Sequence, residues 1–567
     1  MGKSPCPVGE GAYMEVIPTR QPGIFGKIYR RFTPWRQAIL NAGLTPPRYA
    51  GAQMDTLPTQ TAGRADPDPL PAPGESSTEL GTSFAARVKA GVIWKSGSQI
   101  VGQIVAWIST FLVIRLLNPS DYGLVAMTGV ILTFLDLFNG WGFASSLVRD
   151  EKTDRHRIGQ AFGMLILMNG ALGLAQLAAA PFAAQYFHQP MVADLLRVQA
   201  IFYLANPFNA LGHALLMRRL EFKRQARITL IAALLSAITA VACAFAGLGV
   251  WTLVVAPGVL WYARAFGYIF TAKLWQIPPR FRFAGAGVML RYGAAMIGVQ
   301  ACWFVQSQAD VFIGGRSLAP HRLGIYTTAL FLTQILATKF VPPLNEVAFA
   351  AYSRIQARPE MIQTAFLKSV RLIMLAALPF YFGLAVTAGP LVATFLGWKW
   401  TETGPLVPIL AMAMPLMTLQ ILFAPASNAL GRPGMAVRTG LVGALLLPCA
   451  FAVGIQWGAA GLAWAWLGGM AVLLAATIEM SLPLLGISRS DLFLAVAPGL
   501  AAALAMAGLV EAVDAMLPPL AAGPRLALLV AAGMATYGAM LLAFARPIVD
   551  EVLGLVGLRK PAAAQTL

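Results

Sequence analysis

Charge is what this chain most lacks. Only 12% of its 567 residues are Asp, Glu, Lys or Arg, against about 25% in soluble domains, so an ordinary water-facing surface cannot be built from them. Cysteine and histidine are equally scarce, with four of each. Cys243, Cys302 and Cys449 fall in apolar runs and Cys6 lies near the start, with no metal-ligand spacing among them. That argues against a disulfide framework and a zinc site. His156, His188, His213 and His321 form no H-E-x-x-H, and no G-x-x-x-x-G-K-[ST] occurs, which removes the metalloprotease and P-loop ATPase signatures. No catalytic residue, metal site or cofactor is expected.

What fills the chain instead is apolar sequence, 57% of all residues. About fourteen apolar stretches, each roughly the 20 residues that a 30 Å bilayer core requires of a helix, run from near residue 91 to near residue 546. Little polar mass separates them. Helices satisfy their own backbone hydrogen bonds in lipid, so the predicted fold class is an all-α polytopic membrane protein. The net charge of +18 invites a nucleic-acid reading, but there is no folded basic face to carry one.

The cations sit instead in alternate loops. Arg149, Lys152, Arg155 and Arg157 follow the second stretch, and Arg218, Arg219, Lys223, Arg224 and Arg227 follow the fourth. Lys273, Arg280 and Arg282 follow the sixth, Arg354, Arg358 and Lys368 the eighth, Arg432 and Arg438 the tenth, and Arg489 the twelfth. The odd-numbered loops hold only Arg316, Arg322 and Lys399, with Arg525 at the edge of the last stretch. Short basic loops stay in the cytoplasm, so both termini are expected there. Residues 1–85, rich in Pro, Gly, Thr and Asp, read as a disordered cytoplasmic tail, with no secretory signal. Residues 547–567 read as a second cytoplasmic tail. The Tyr352–Lys368 segment is amphipathic and is predicted to lie as a helix on the inner surface.

A repeat divides the membrane portion. Arg115-Leu116-Leu117-Asn118-Pro119-Ser120-Asp121-Tyr122-Gly123 and Arg316-Ser317-Leu318-Ala319-Pro320-His321-Arg322-Leu323-Gly324 both fit R-x-L-x-P-x-x-x-G, offset by 201 residues. A weaker echo links Gly249–Trp251 with Gly461–Trp464. An even number of spans per repeat gives two halves inserted the same way up. The expected architecture is a lobe of six spans at 86–283, a second at 284–484, and two appended spans at 485–546. Such lobes enclose a central cavity suited to alternating access.

Several of these segments carry a likeness to a known family. L-x-P-x-D-Y-G-L at Leu117–Leu124 opens the second span, and G-x-G-V-W-x-L at Gly247–Leu253 opens the sixth. Leu323-Gly324-Ile325-Tyr326, Gly397-Trp398-Lys399-Trp400 and Leu430-Gly431-Arg432 follow in order. From about residue 88 to about residue 545 the chain resembles the Wzx-like polysaccharide transporter branch of the multidrug/oligosaccharidyl-lipid/polysaccharide exporter superfamily. The long N-terminal segment departs from that pattern. The resemblance implies a flippase that carries polyprenyl-diphosphate-linked oligosaccharide across the bacterial inner membrane for lipopolysaccharide or exopolysaccharide synthesis. It also implies membrane lipids, a polysaccharide polymerase and glycosyltransferases as partners.

Charges inside a bilayer face a cavity or a partner. On that rule Lys95, Gln99, Arg264, Arg291 and Lys339 are candidates for lining the path of an anionic headgroup, with Gln99 on a polar stripe shared with Lys95 and Gln103. Asp136, Asp310 and Glu346 are candidates for proton or sodium coupling or for ion pairing, and the repeat offset brings Asp136 close to Lys339 in register. Pro342-Pro343 should break the eighth span and free carbonyls. The alternatives are a multidrug exporter of the same superfamily and, from another class, a membrane enzyme. The enzyme lacks a loop large enough for a catalytic domain. Reporter fusions after residues 155, 222 and 355 should read cytoplasmic, and fusions at 120, 188 and 400 periplasmic; a periplasmic signal at 222 would reverse the orientation.

Overall fold

In the computed structural model, residues 77–138, 155–281, 287–356, 358–544 and 546 are described. The expectations for the N-terminal and C-terminal tails therefore fall almost wholly outside the described residues. Every regular element is helical among those residues. Ten helical segments are long and apolar enough to cross a membrane, so the all-α polytopic fold is as expected.

The N-terminal half comprises α1 (Ser77–Leu116), α2 (Pro119–Asp136), α3 (Arg155–Phe187), α4 (Pro190–Gln199), α5 (Asn206–Arg218), α6 (Phe222–Phe245) and α7 (Thr252–Ala272). The C-terminal half follows with α8 (Gly287–Ser317), α9 (Pro320–Lys339), α10 (Val341–Ile355), α11 (Pro359–Val386), α12 (Ala388–Phe395), α13 (Leu406–Ile421), α14 (Phe423–Ala429), α15 (Pro433–Gly454) and α16 (Gly458–Leu485). Last come α17 (Arg489–Met516) and α18 (Ala522–Phe544), packed on α11 and α12. A bidentate pair, Arg525 to Asp514 at 2.6 and 2.8 Å, joins the facing ends of α17 and α18.

Proline sets many of the boundaries. Pro119, Pro190, Pro320, Pro359 and Pro433 each stand in the first turn of a helix, where the missing N–H costs nothing. Pro342 and Pro343 open α10 after a break at Phe340. The segment Tyr352–Lys368 is not a surface helix. It takes in the end of α10 and the first turns of the long α11, where Ile362, Phe366 and Val370 recur every four residues and are almost fully buried. That apolar stripe outweighs the charges on the opposite face. The Gly249–Trp251 echo also differs between the halves. It is a 3₁₀ turn before α7, whereas Gly461–Trp464 lies inside α16.

The largest apolar core joins residues of both halves, among them Ile114, Met127, Phe187, Tyr326, Trp400 and Trp466. Within it lies one carboxyl group. Asp310 of α8 is completely buried and accepts a hydrogen bond from the Tyr326 hydroxyl at 2.7 Å and one from Trp466 Nε1 at 3.0 Å. The Val311 amide donates to its other oxygen at 2.8 Å. A buried polar group is tolerable only when so supplied, and here the supply ties α8 to α9 and α16. Replacing Tyr326 by Phe keeps the ring and removes the donor. It should lower stability by about 1–2 kcal/mol, seen as a lower melting temperature in detergent; an unchanged midpoint would show that Asp310 does not need this hydroxyl.

Candidate functional site

Three helices of the N-terminal half each turn one polar face to the same space. On α1 the facing residues include Gln99, Gln103 and Ser109; on α6, Gln225, Thr229 and Ser236; on α7, Thr252, Arg264 and Tyr268. Spacings of three, four and seven residues put such side chains on one side of a helix. His213 of α5 and Tyr122 of α2 complete the wall. The cavity, open on one side, measures about 750 Å³. Its lining on α6 runs from Gln225 to Ala240, about 22 Å of helix at 1.5 Å per residue.

The polar groups in this wall are only partly satisfied by the protein. Ser236 Oγ donates to the Ala256 carbonyl at 2.8 Å, and Ser109 Oγ to the Ala237 carbonyl at 3.3 Å. By contrast, Gln225 Oε1, Thr252 Oγ1 and Arg264 Nε are buried atoms without a hydrogen-bond partner among the described residues. Pro257, also in the wall, cannot donate to the carbonyl of Leu253 one turn earlier, leaving a further acceptor there. Among the described lining residues Arg264 is the permanent cation, and no carboxylate is present. Chemically this is a place for hydroxyl-rich or anionic groups. A guanidinium offers a planar fork to phosphate oxygens, and the amides and hydroxyls offer both donors and acceptors.

Of the residues picked from sequence, the structure brings Gln99 and Arg264 together in this cavity. Lys95 and Arg291 lie on α1 and α8, but their side chains fall outside the described residues. Lys339 is the exposed last residue of α9 and is not part of the cavity wall. Asp136 ends α2 and opens on a separate pocket of about 290 Å³ with Thr133, Gln199, Tyr203, Asn206 and Trp261. Glu346 is exposed on α10. Asp310 meets neutral donors in the core and lines none of these cavities.

Sequence reasoning missed His213, Gln225 and Tyr268. Gln225 sits among the cations following the fourth span, so it reads as loop, although α6 already begins at Phe222. It also missed Trp466 as a partner of Asp310, since no periodicity joins residues so far apart in the chain.

The family described as "Polysaccharide biosynthesis protein" matches residues 112–405, over half of the chain. The succinoglycan biosynthesis transport protein ExoT of Rhizobium meliloti (strain 1021) is 25% identical over 501 residues, covering 85% of this chain and 98% of that protein. The lipopolysaccharide biosynthesis protein WzxC of Escherichia coli (strain K12) is 21% identical over 337 residues, covering 58% and 67%. Among solved structures, the lipid II flippase MurJ in an inward closed conformation matches with a TM-score of 0.67 at 12% identity, over 81% of this chain and 100% of that one. An inward-facing MATE family transporter of the MOP superfamily gives 0.52 at 14% identity, over 70% and 98%. These two structural matches establish a shared fold. The chain thus belongs to the polysaccharide biosynthesis protein family, with ten described helices long and apolar enough to make it a multi-pass membrane protein.

Proposed function

We propose that the protein flips a polyprenyl-diphosphate-linked oligosaccharide from the cytoplasmic to the periplasmic leaflet of the inner membrane. It works by alternating access between two six-span lobes, residues 86–283 and 284–484, with residues 485–546 supplying two further spans to a total of fourteen. Both termini are cytoplasmic on the distribution of Lys and Arg. The observation that carries this reading is Arg264, half-buried, its Nε without a partner among the described residues, in a cavity whose other described polar groups are neutral hydrogen-bonding side chains. A diphosphate headgroup loses its hydration on leaving water, and a guanidinium replaces part of it. Sugar hydroxyls match Gln99, Gln103, Gln225 and Thr252 in the same wall. The prenyl chain stays in lipid.

Lys95, Arg291 and Lys339 are further cations for the headgroup's route, and Asp136 and Glu346 the groups through which proton or sodium entry would drive it, Asp310 being sealed in the core. A polymerase and glycosyltransferases are the expected neighbours in the cell. The names of ExoT and WzxC, which speak of succinoglycan and lipopolysaccharide biosynthesis, support polysaccharide export over drug export. So does the lack of a carboxylate among the described cavity residues, since a cationic drug would want one.

Hydrogen bonds to a charged group contribute about 1.5–3 kcal/mol. Arg264→Ala is therefore expected to slow flipping about ten- to a hundredfold, and Arg264→Lys to retain part of it, keeping the charge but not the fork. The measurement is lipid-linked oligosaccharide in each leaflet at matched protein levels. Wild-type flipping by Arg264→Ala would remove this residue from the site, and with it the observation on which the reading stands.

A further inference from the structure

The function leaves two sequence motifs without a role: the repeated R-x-L-x-P-x-x-x-G and the Gly397-Trp398-Lys399-Trp400 segment. Both lie at one end of the molecule, that of the odd-numbered loops. Each fixed polar or small residue of the repeat meets the opposite half there. Gly123 of α2 has no room for a Cβ because the Pro320 carbonyl fills the space, and Gly324 of α9 has none because the Pro119 carbonyl does. The proline of each copy thus seats against the glycine of the other. The arginines cross as well. Arg115 donates from Nη1 to the Thr394 carbonyl at 3.3 Å, and its stem rests on Gly397. Arg316 lies over the Tyr186 ring at 5.0 Å, and that ring stacks on Phe312 at 4.5 Å.

The second motif caps the end of the first span. An α-helix leaves its last carbonyls without intrahelical donors. At the end of α1, Trp400 Nε1 donates to the Ile114 carbonyl at 2.8 Å and Lys399 Nζ to the Leu116 carbonyl at 3.0 Å. The lysine also brings positive charge to a helix C-terminus, where it is favoured. Trp400 is fully buried, edge-on to Tyr122 at 5.3 Å. Gly397 turns into this segment at φ +90°, a conformation natural to glycine. Caps that come from the opposite half are lost when the halves part.

We propose that the repeated motif is the gate at this end, on the charge distribution the periplasmic one, and that Gly397–Trp400 is the latch that holds it shut. Two-fold contact explains why both halves carry the same residues: each copy must fit the other. The inference rests on the transport reading only in requiring that the gate open, and its test needs no substrate.

Met127 is fully buried in the shared core beneath the gate, and both it and Phe187 border the space that a side chain on Gly315 would take. With the native cysteines replaced, Met127→Cys is labelled in spheroplasts by a membrane-impermeant maleimide. Adding Trp400→Phe, which keeps a ring and removes the donor, should raise the labelling rate about fivefold, the shift expected from one net hydrogen bond. Lys399→Met should act in the same direction, and Gly123→Ala more strongly. Trp398→Phe is the control, because that ring is 83% exposed and should change nothing. Unchanged labelling in Trp400→Phe and Lys399→Met, in protein that inserts normally, would overturn the proposal. So would an equal rise in Trp398→Phe. In a separate arm, Tyr186→Cys and Phe312→Cys joined by a short bis-methanethiosulfonate, which releases a sulfinate at each end, should hold Met127→Cys protected; labelling at the unbridged rate of an opened variant would likewise overturn it. A gate that responds as expected in a protein that moves no lipid-linked glycan would leave this inference standing and remove only the proposed substrate.

Discussion

The two halves of this protein meet backbone to backbone. Gly123 against the Pro320 carbonyl, and Gly324 against that of Pro119, bring α2 and α9 to a separation that any side chain would prevent. In lipid no hydrophobic force draws helices together, and small residues that allow close approach take its place. Once α2 and α9 are fixed, the ends of α1, α3, α8 and α12 converge on the same face. The large core that includes Ile114, Met127, Tyr326 and Trp466 forms below them.

Polar side chains in the membrane portion then divide into two kinds. Asp310 has donors for both oxygens and is sealed; such a network holds elements in place and resists rearrangement. Arg264, Gln225 and Thr252 each keep an atom without a partner among the described residues and face a cavity. Evolution tolerates the cost of an unsatisfied buried group where something else supplies the missing bond. That difference in satisfaction, more than charge, separates the groups that hold the fold from those placed to meet a ligand.

Much of the architecture was legible because its causes are local. Apolar length gives the spans, and proline in first turns gives helix starts at Pro119, Pro320 and Pro359. The motif R-x-L-x-P-x-x-x-G marks two places that must resemble each other because they touch. Gln99 and Arg264 were legible for a similar reason, as polar residues in apolar helices need a use. What was hidden depends on distant partners. Asp310 reads as a coupling group until Tyr326 and Trp466 are seen to fill its hydrogen bonds. Lys339 reads as deep in its span until α9 is seen to end on it, exposed. The Tyr352–Lys368 segment misleads because charges on one face of α11 mask the Ile362, Phe366 and Val370 stripe on the other.

The repeat offset carries one more consequence. Ser109 and Asp310 stand 201 residues apart, at corresponding places in α1 and α8, as do Gln103 and Phe304. In the N-terminal half these positions give a serine and a glutamine that line the cavity. In the C-terminal half they give a sealed carboxyl group and a phenylalanine packed against the core. At these two pairs of positions the same scaffold therefore turns polar side chains to a cavity in one half and packs their counterparts into the core in the other. The polar groups of that cavity come mainly from α1, α6 and α7, so they are carried by one half and move with it. The glycine–proline contacts suit that arrangement, since small residues at a shared seam leave no long side chains interlocked there to withdraw when the two halves part.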